Sequence, residues 1–248
     1  YPAEPGSDHL LSALYGAIGH GNNMALGRWL LEHGANPNDN ESLYHSTELG
    51  HHEGLRMLLD HGARPAGTNA LPRALDFDEV EAVRMLLEAG ANPNESLAPD
   101  PTGAELWVVP CLHQAARRGC SAEVTQLLLD HGADPAVRYQ ELTAYELACA
   151  YGNEPVRELL VRAGGDVPLS PCLTLLADAA TDRLRPGSAI NMDDVPKELS
   201  RILTRLVGDP KRLSHIQRLV QIGVPIDSTD EMGMTPLHLG GWEGLPEV

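Results

Sequence analysis

Residues 30–38 read Leu-Leu-Glu-His-Gly-Ala-Asn-Pro-Asn, and the chain repeats this phrase. LLDHGARP stands at 58–65, LLEAGANPN at 86–94, LLLDHGADP at 127–135, LLVRAGGDVP at 159–168, and a weaker LVQIGVPID at 219–227. Each copy is an apolar run, then a Gly, then a polar stretch carrying Pro. Self-similarity of this kind points to one supersecondary unit used many times, so it is read before any search for a catalytic residue. The Leu runs are too short to cross a membrane. They fit the buried stripe of an amphipathic helix whose wet side carries Arg28, Arg56, Arg84 and the acidic residues at 32, 60, 88 and 130. Gly ends a helix in the left-handed conformation at little steric cost. His33, His61 and His131 stand in the last turn, where a donor suits the exposed carbonyls. The Pro residues at 37, 65, 93, 135 and 168 then forbid continuation.

The spacing separates what must stay constant from what need not. The closing glycines are Gly34, Gly62, Gly90, Gly132, Gly164 and Gly223, at intervals of 28, 28, 42, 32 and 59 residues. The distance from each expected first-helix residue (Leu14, Leu43, Leu71, Leu112, Tyr145) to its Gly is 20, 19, 19, 20 and 19. The connectors run 9, 9, 22 and 13 residues, with 14 from Gly223 to Leu237. A two-helix body of constant length must mate with its neighbours, while a connector on the surface tolerates change.

These phrases, with Thr235-Pro236-Leu237-His238-Leu239, resemble the ankyrin repeat, a β-turn and two helices recurring about every 33 residues. The resemblance, to a degenerate protein of bacterial type, spans nearly the whole chain. It implies an all-α fold, an α-solenoid of helix-turn-helix repeats, with short or missing β-hairpin fingers where the connectors are short. One repeat domain over 1–248 is expected, with units at about 7–38, 39–66, 67–94, 95–136 and 137–168, a degenerate stretch at 169–227, and a truncated unit at 228–248. In the degenerate stretch, helices are expected at 172–184, at 195–207 capped by Asp194, and at 210–222 capped by Asp209, with 185–194 as a loop or a short helix. The chain begins at Tyr1 and stops inside a unit, so a fragment of a longer protein is expected, with Leu237 and Leu239 left uncovered and association through that last unit.

Composition restricts the partners. Lys and Arg number 18 against 35 Asp and Glu, a formal net charge of −17, which argues against a nucleic-acid backbone as ligand for the whole surface. No membrane partner is expected. Cys111, Cys120, Cys149 and Cys172 show no CxxC spacing, and free packing thiols in a reducing, cytoplasmic compartment are expected.

Catalytic spacing gives near misses. His51-His52-Glu53-Gly54-Leu55-Arg56 starts like HExxH but has Arg where the second ligand must stand. Asn36–Glu41 and Asp227–Glu231 are oxygen-rich but lack the calcium-loop Gly placement, and polar turns explain them. His45, His51, His52 and Asp76 are near one another in register and are the weakest candidates for a titratable cluster. His113 and His238 fill the TPLH slot, where the resemblance implies a turn-stabilising hydrogen bond. No metal, no cofactor and no catalytic residue is assigned.

The positions that stacking does not need lie at the end of each first helix, and in the ankyrin family these line the concave binding face. By register they are Gly19-His20, Glu48-Leu49, Asp76-Phe77, Arg117-Arg118, Ala150-Tyr151 and Trp242-Glu243. They hold the single Phe of the chain and a double Arg, residue types enriched at interface hot spots. Leu49, Phe77, Arg117, Arg118, Tyr151 and Trp242 are therefore candidate partner-binding residues, although Phe77 and Tyr151 equally suit packing on a neighbouring unit. Trp29, in a second-helix stripe, reads as core. The insertion 95–110 adds Trp107 within Leu106-Trp107-Val108-Val109, a run that either folds back on the preceding unit or forms an exposed contact patch. The expected function is a non-enzymatic module that binds a protein partner. The alternative is a regulatory or substrate-recruiting arm of an enzyme whose catalytic domain lies outside this stretch.

Overall fold

A computed structural model describes residues 11–39, 41–95, 109–230 and 232–242. The fold is all-α. It divides into two compact units, Tyr1–Ala115 with Ser121–Asp134, and Ala116–Cys120 with Pro135–Val248.

The first unit is a series of helical hairpins. Helix α1 (Ala13–Tyr15) runs on through a π-turn at Gly16–His20 and pairs with α2 (Met24–Glu32). Helices α3 (Ser42–Ser46) and α4 (Glu53–Asp60) follow, then α5 (Ala70–Asp76) and α6 (Val80–Glu88), then α7 (Cys111–Arg118), whose residues up to Ala115 fall in this unit, and α8 (Ala122–Asp130). First helices stack on first helices, as α3 on α5, and second on second, as α2 on α4 and α6 on α8. Leu14, Ile18, Leu43, Leu55, Leu58, Leu71, Leu75, Val83, Leu86 and Leu128 form the buried seam. Ile18 passes between two glycines: a Cβ on Gly27 would lie 2.5 Å from its Cγ1, and one on Gly54 would lie 2.8 Å from its Cγ2. Small residues there let α2 and α4 close on the π-turn.

The repeated phrase is explained atom by atom. All six closing glycines have positive φ, from 73° at Gly164 to 108° at Gly223. At the first, the Ala35 N–H reaches back to Leu30 O at 2.9 Å and the Gly34 N–H to Leu31 O at 3.1 Å, which satisfies carbonyls that the helix leaves open. His33, His61 and His131 each donate Nδ1–H to the carbonyl four residues earlier, at 2.7, 2.8 and 2.8 Å. Asn38 donates its amide to Gly62 O at 3.3 Å and accepts from the Arg64 N–H at 2.8 Å. Asn94 does the same with Gly132 O, at 2.7 Å, and the Asp134 N–H, also at 2.7 Å. The second Asn of the phrase is thus a clamp onto the next repeat. On the wet side Arg28 meets Glu53, Arg56 meets Glu81 and Arg84 meets Glu123, at 3.6, 3.6 and 3.8 Å. Exposed pairs of this kind add little stability each.

The second unit opens with the one strand pair among the described residues, β1 (Arg138–Tyr139) antiparallel to β2 (Leu142–Thr143), with Arg138 opposite Thr143. This finger precedes α9 (Ala144–Tyr151) and α10 (Glu154–Arg162), and the short connectors before α3 and α5 carry none, as expected. Helix α9 starts in a buried capping box: the Thr143 N–H donates to Glu146 Oε2 at 2.7 Å, and the Glu146 N–H to Thr143 Oγ1 at 3.2 Å. Then come α11 (Pro171–Ala180), α12 (Ile202–Leu206), α13 (Leu213–Gln221) and α14 (Pro236–Trp242).

The degenerate stretch departs from expectation in detail. Helix α11 packs on α9 and on α13. Residues 183–191 form an irregular loop, tied to the end of α13 by the Ile190 N–H to Ile222 O at 2.7 Å, and one 3-10 turn follows at Met192–Asp194. The helix expected from 195 does not start there. Asp194 caps nothing, because it is itself inside that 3-10 turn. A second 3-10 turn at Leu199–Arg201 leads into α12 instead. Asp209 does cap, accepting from the Lys211 N–H at 3.0 Å, but what it caps is a 3-10 turn at Pro210–Arg212 ahead of α13.

Trp29 is not core: it is 53% exposed. Helix α2 turns Gly27 and Leu31 inward, four residues apart on one face, and Trp29 falls between them on the other side. Its equivalent in the next repeat, Met57, is buried because its methyl group reaches α2 at Gly27. Trp29 stacks on His33, with ring centroids 4.2 Å apart.

Candidate functional site

In the first unit the ends of α3 and α5 carry a polar network. Arg73 of α5 donates Nε–H to Glu48 Oε1 and Nη1–H to Asp76 Oδ2, both at 2.7 Å. Glu48 also accepts from His45 Nδ1 at 2.9 Å, and His45 Nε2 stands 3.4 Å from Glu41. Asp76 accepts from the Gln114 amide. Three successive repeats are thereby linked through their first helices. Burial pushes the Glu48 carboxyl upward, but the hydrogen bonds from His45 and Arg73 outweigh it and hold the group below the usual carboxylate range. For Arg73 burial acts downward, and the bonds to Asp76 and Glu48 raise it above its ordinary value, so it stays charged.

Phe77 sits on this network. The residue is 45% exposed, and the Arg73 guanidinium lies 4.8 Å from its ring centroid and 5.6 Å from that of Tyr44. The cation orients the ring and leaves its outer face in water. Leu49 is half-buried, with Cδ1 near the start of α4 at Gly54. The sequence reading selected Leu49 and Phe77 and placed Glu48 and Asp76 beside them at the variable positions, but missed Arg73 and Tyr44. The signal was available: an Arg four residues before the variable Phe, on the same helix face.

The second unit holds the remaining candidates, and they divide. Tyr151 is a correction. It is 1% exposed and cannot meet a partner, because it stands at the inward-facing end of α9 and fills the interior there. Its hydroxyl has no hydrogen-bond partner, and burial pushes it above the usual phenol range. Arg117 is mostly buried and donates Nη1–H to Glu198 Oε1 at 2.9 Å, while Arg118 beside it is exposed. Arg205 Nε lies 3.8 Å from the same Glu198 oxygen. Arg212 donates Nη1–H to the carbonyls of Tyr151 and Gly152, at 3.0 and 3.4 Å, and its Nε is 3.5 Å from Asp209. Arg117, Arg118, Arg205, Arg212 and Tyr151 line one small cavity of about 100 Å³. Trp242 is 84% exposed at the end of α14, and Leu237 is 72% exposed, whereas Leu239 is half-buried. Leu237, Ile216, Val220 and Ile226 border an apolar groove of about 490 Å³. Trp107 lies outside the described residues.

The expected weak cluster does not assemble. His45 and Asp76 belong to the Arg73 network, His51 Nε2 meets Asn22 Oδ1 at 2.8 Å, and His52 Nε2 is 3.8 Å from Glu79. Among the described residues no three His, Cys, Asp or Glu converge as metal ligands would, and no helix is long and apolar enough to cross a membrane. The described residues of the oxygen-rich segments make turn hydrogen bonds: Asp39 accepts from the Ser42 N–H at 2.8 Å, and Asp230 from Met232 and Met234 N–H at 2.9 and 2.8 Å. His238 Nδ1 is 2.8 Å from Thr235 Oγ1, the turn contact that the TPLH slot implies. The four cysteines are buried and none is in a disulfide.

Comparison with known proteins agrees with this geometry. Ankyrin repeats in three tandem copies match residues 14–96, and a single ankyrin repeat matches residues 110–139. No curated protein matches the chain. Among solved structures, the human ASB11 ankyrin repeat domain is similar at 20% identity with a TM-score of 0.51, covering 92% of this chain and 91% of that one. An ankyrin repeat domain from Acinetobacter baumannii AYE is similar at 27% identity with a TM-score of 0.53, covering 64% of this chain and 84% of that one.

Proposed function

Because the chain is an ankyrin repeat protein, we propose that it is a non-enzymatic module that binds a protein partner along the concave face, at the ends of its first helices. Ankyrin repeats are generally protein–protein interaction modules. The finer reading rests on Phe77. An aromatic ring that stacking does not require is half exposed, and a guanidinium held by two carboxylates orients it. A pre-oriented side chain loses little freedom when a partner covers it, which is what an interface anchor needs. Leu49 extends that surface in the first unit. Arg118 and Trp242 are the exposed candidates in the second.

The test is quantitative recovery of bound proteins on immobilised chain. Phe77→Ala with Leu49→Ala is expected to lose the recovered partner, while Trp29→Ala, an equally exposed aromatic on a second helix, retains it. Equal recovery by all three proteins, with unchanged circular dichroism, contradicts the assignment.

A further inference from the structure

Counted back from the closing glycines, Leu213, Ile216, Gln217 and Val220 stand on α13 where Met24, Gly27, Arg28 and Leu31 stand on α2. The spacing i, i+3, i+4, i+7 puts them on one helix face. On α2 that face receives the next repeat: Gly27 and Leu31 are buried, Arg28 meets Glu53, and the Met57 methyl group reaches Gly27. On α13 the same face opens into the apolar groove of about 490 Å³, with Asp209 and Asp227 as the charged residues at its border. The register thus identifies what the groove is shaped to receive, which is a helix.

Apolar surface continues past the groove. The four most exposed large apolar residues among those described, Ile226, Met232, Leu237 and Trp242, all follow α13. Ile226 and Leu237 border the groove and are 63% and 72% exposed. A small apolar ligand seated in the groove would leave Met232 and Trp242 in water, because they do not border it. Exposed apolar surface on this scale marks a protein contact. The charges then select the partner. With a net charge of −17 the chain as a whole repels a second copy. The groove is locally neutral. Asp209 has Arg212 at 3.5 Å. Two opposite charges remain, Lys211 just before α13 and Asp227 beyond its C-terminal end, both exposed and neither held in an ion pair among the described residues. One end of the face is positive and the other negative, so the face complements itself after a half-turn.

We infer that this groove closes on a second copy of the chain, the two α13 helices lying antiparallel across a two-fold axis. In such a contact residue i of one copy meets j of the other, and j meets i. Leu213 faces the second copy's Val220, Ile216 faces its Gln217 at the axis, and Lys211 approaches the turn that carries its Asp227. Each α13 thereby supplies the helix that the other lacks. The contact uses no residue of the Phe77 surface, so the two readings stand or fall separately.

The experiment is sedimentation equilibrium of the full chain over a wide range of concentration, at low ionic strength. A reversible monomer–dimer equilibrium with no larger species is expected, because a two-fold contact is closed. Leu237→Ser and Ile226→Ser, both at exposed positions, are each expected to weaken the dimer about tenfold or more, since the lost apolar contact counts twice. Leu26→Ser, exposed on α2 in the first unit, leaves it unchanged. Lys211→Glu and Asp227→Lys each bring like charges together at both ends of the contact and weaken it. An equimolar mixture of those two variants recovers association, because each charge then meets its opposite. Circular dichroism of each variant matches that of the parent. A monomer at every concentration overturns the inference and leaves the groove to a different chain or an apolar ligand. Association unaffected by Leu237→Ser, or a mixture that associates no more strongly than its components, overturns it as well.

Discussion

Asn94 holds the carbonyl of Gly132 at 2.7 Å, across an insertion that separates them by 38 residues. Asn38 holds Gly62 in the same way across 24. The contact is the same although the intervening chain differs in length, which is why the connectors can vary while the helical bodies cannot. Each clamp joins the turn of one repeat to the helix end of the next, and so couples repeats that could not be stable singly.

Asn94→Ala removes both the donor to Gly132 and the acceptor for Asp134. A loss of about 1 kcal/mol is expected, since each exchanged hydrogen bond is worth about that much and the site is open to water. Urea unfolding reads it. An unchanged midpoint would show that the clamp is geometric and not energetic.

Gly27→Ala places a methyl group 2.5 Å from Ile18 Cγ1, in a position where Ile18 is fully buried. Overpacking of this kind costs roughly 1–3 kcal/mol. The companion change Ile18→Val removes one methyl from the clash, and partial rescue in the double variant is the expected result in a thermodynamic cycle.

His215 of α13 is buried, neither ring nitrogen has a partner, and burial with Arg212 and Arg218 nearby depresses its pKa from 6.5 to about 3. The folded protein therefore binds fewer protons than the unfolded chain between those values. Stability is full above about pH 6.5 and declines as pH falls, at up to about 1.4 kcal/mol per unit below it. Unfolding measured from pH 7 to pH 5 is expected to show this slope, and His215→Leu to flatten it. An identical slope in the variant would assign the acid sensitivity elsewhere.

Thr143→Ala breaks the capping box of α9 and leaves the buried Glu146 carboxylate without the hydroxyl. A loss of about 1–2 kcal/mol is expected. The Thr143→Ser variant retains the oxygen and should recover most of it, which separates loss of the cap from loss of the methyl group.

The repeat body was legible because it is written in local chemistry. A Gly that must take positive φ, a His within reach of the carbonyl four back, and a Pro beyond leave few alternatives at 30–38 or 58–65. The degenerate stretch was less legible because 3-10 turns at Met192 and Leu199 carry no periodic apolar signature of their own. Trp29 and Tyr151 exchanged places for one reason. Helical spacing tells which face a residue shares, but whether that face is covered depends on a neighbour distant in sequence. The Asn clamps were missed because their meaning lies in a partner one repeat away, 24 residues off at Gly62.

The central claim is that the partner lies over Phe77. A photo-crosslinking amino acid replacing Phe77, with a second protein carrying it in place of Trp29, tests this directly in cell extract. A discrete crosslinked species from position 77 and none from position 29 is the predicted result. Crosslinking from 29 alone would place the partner on the second helices and contradict the account.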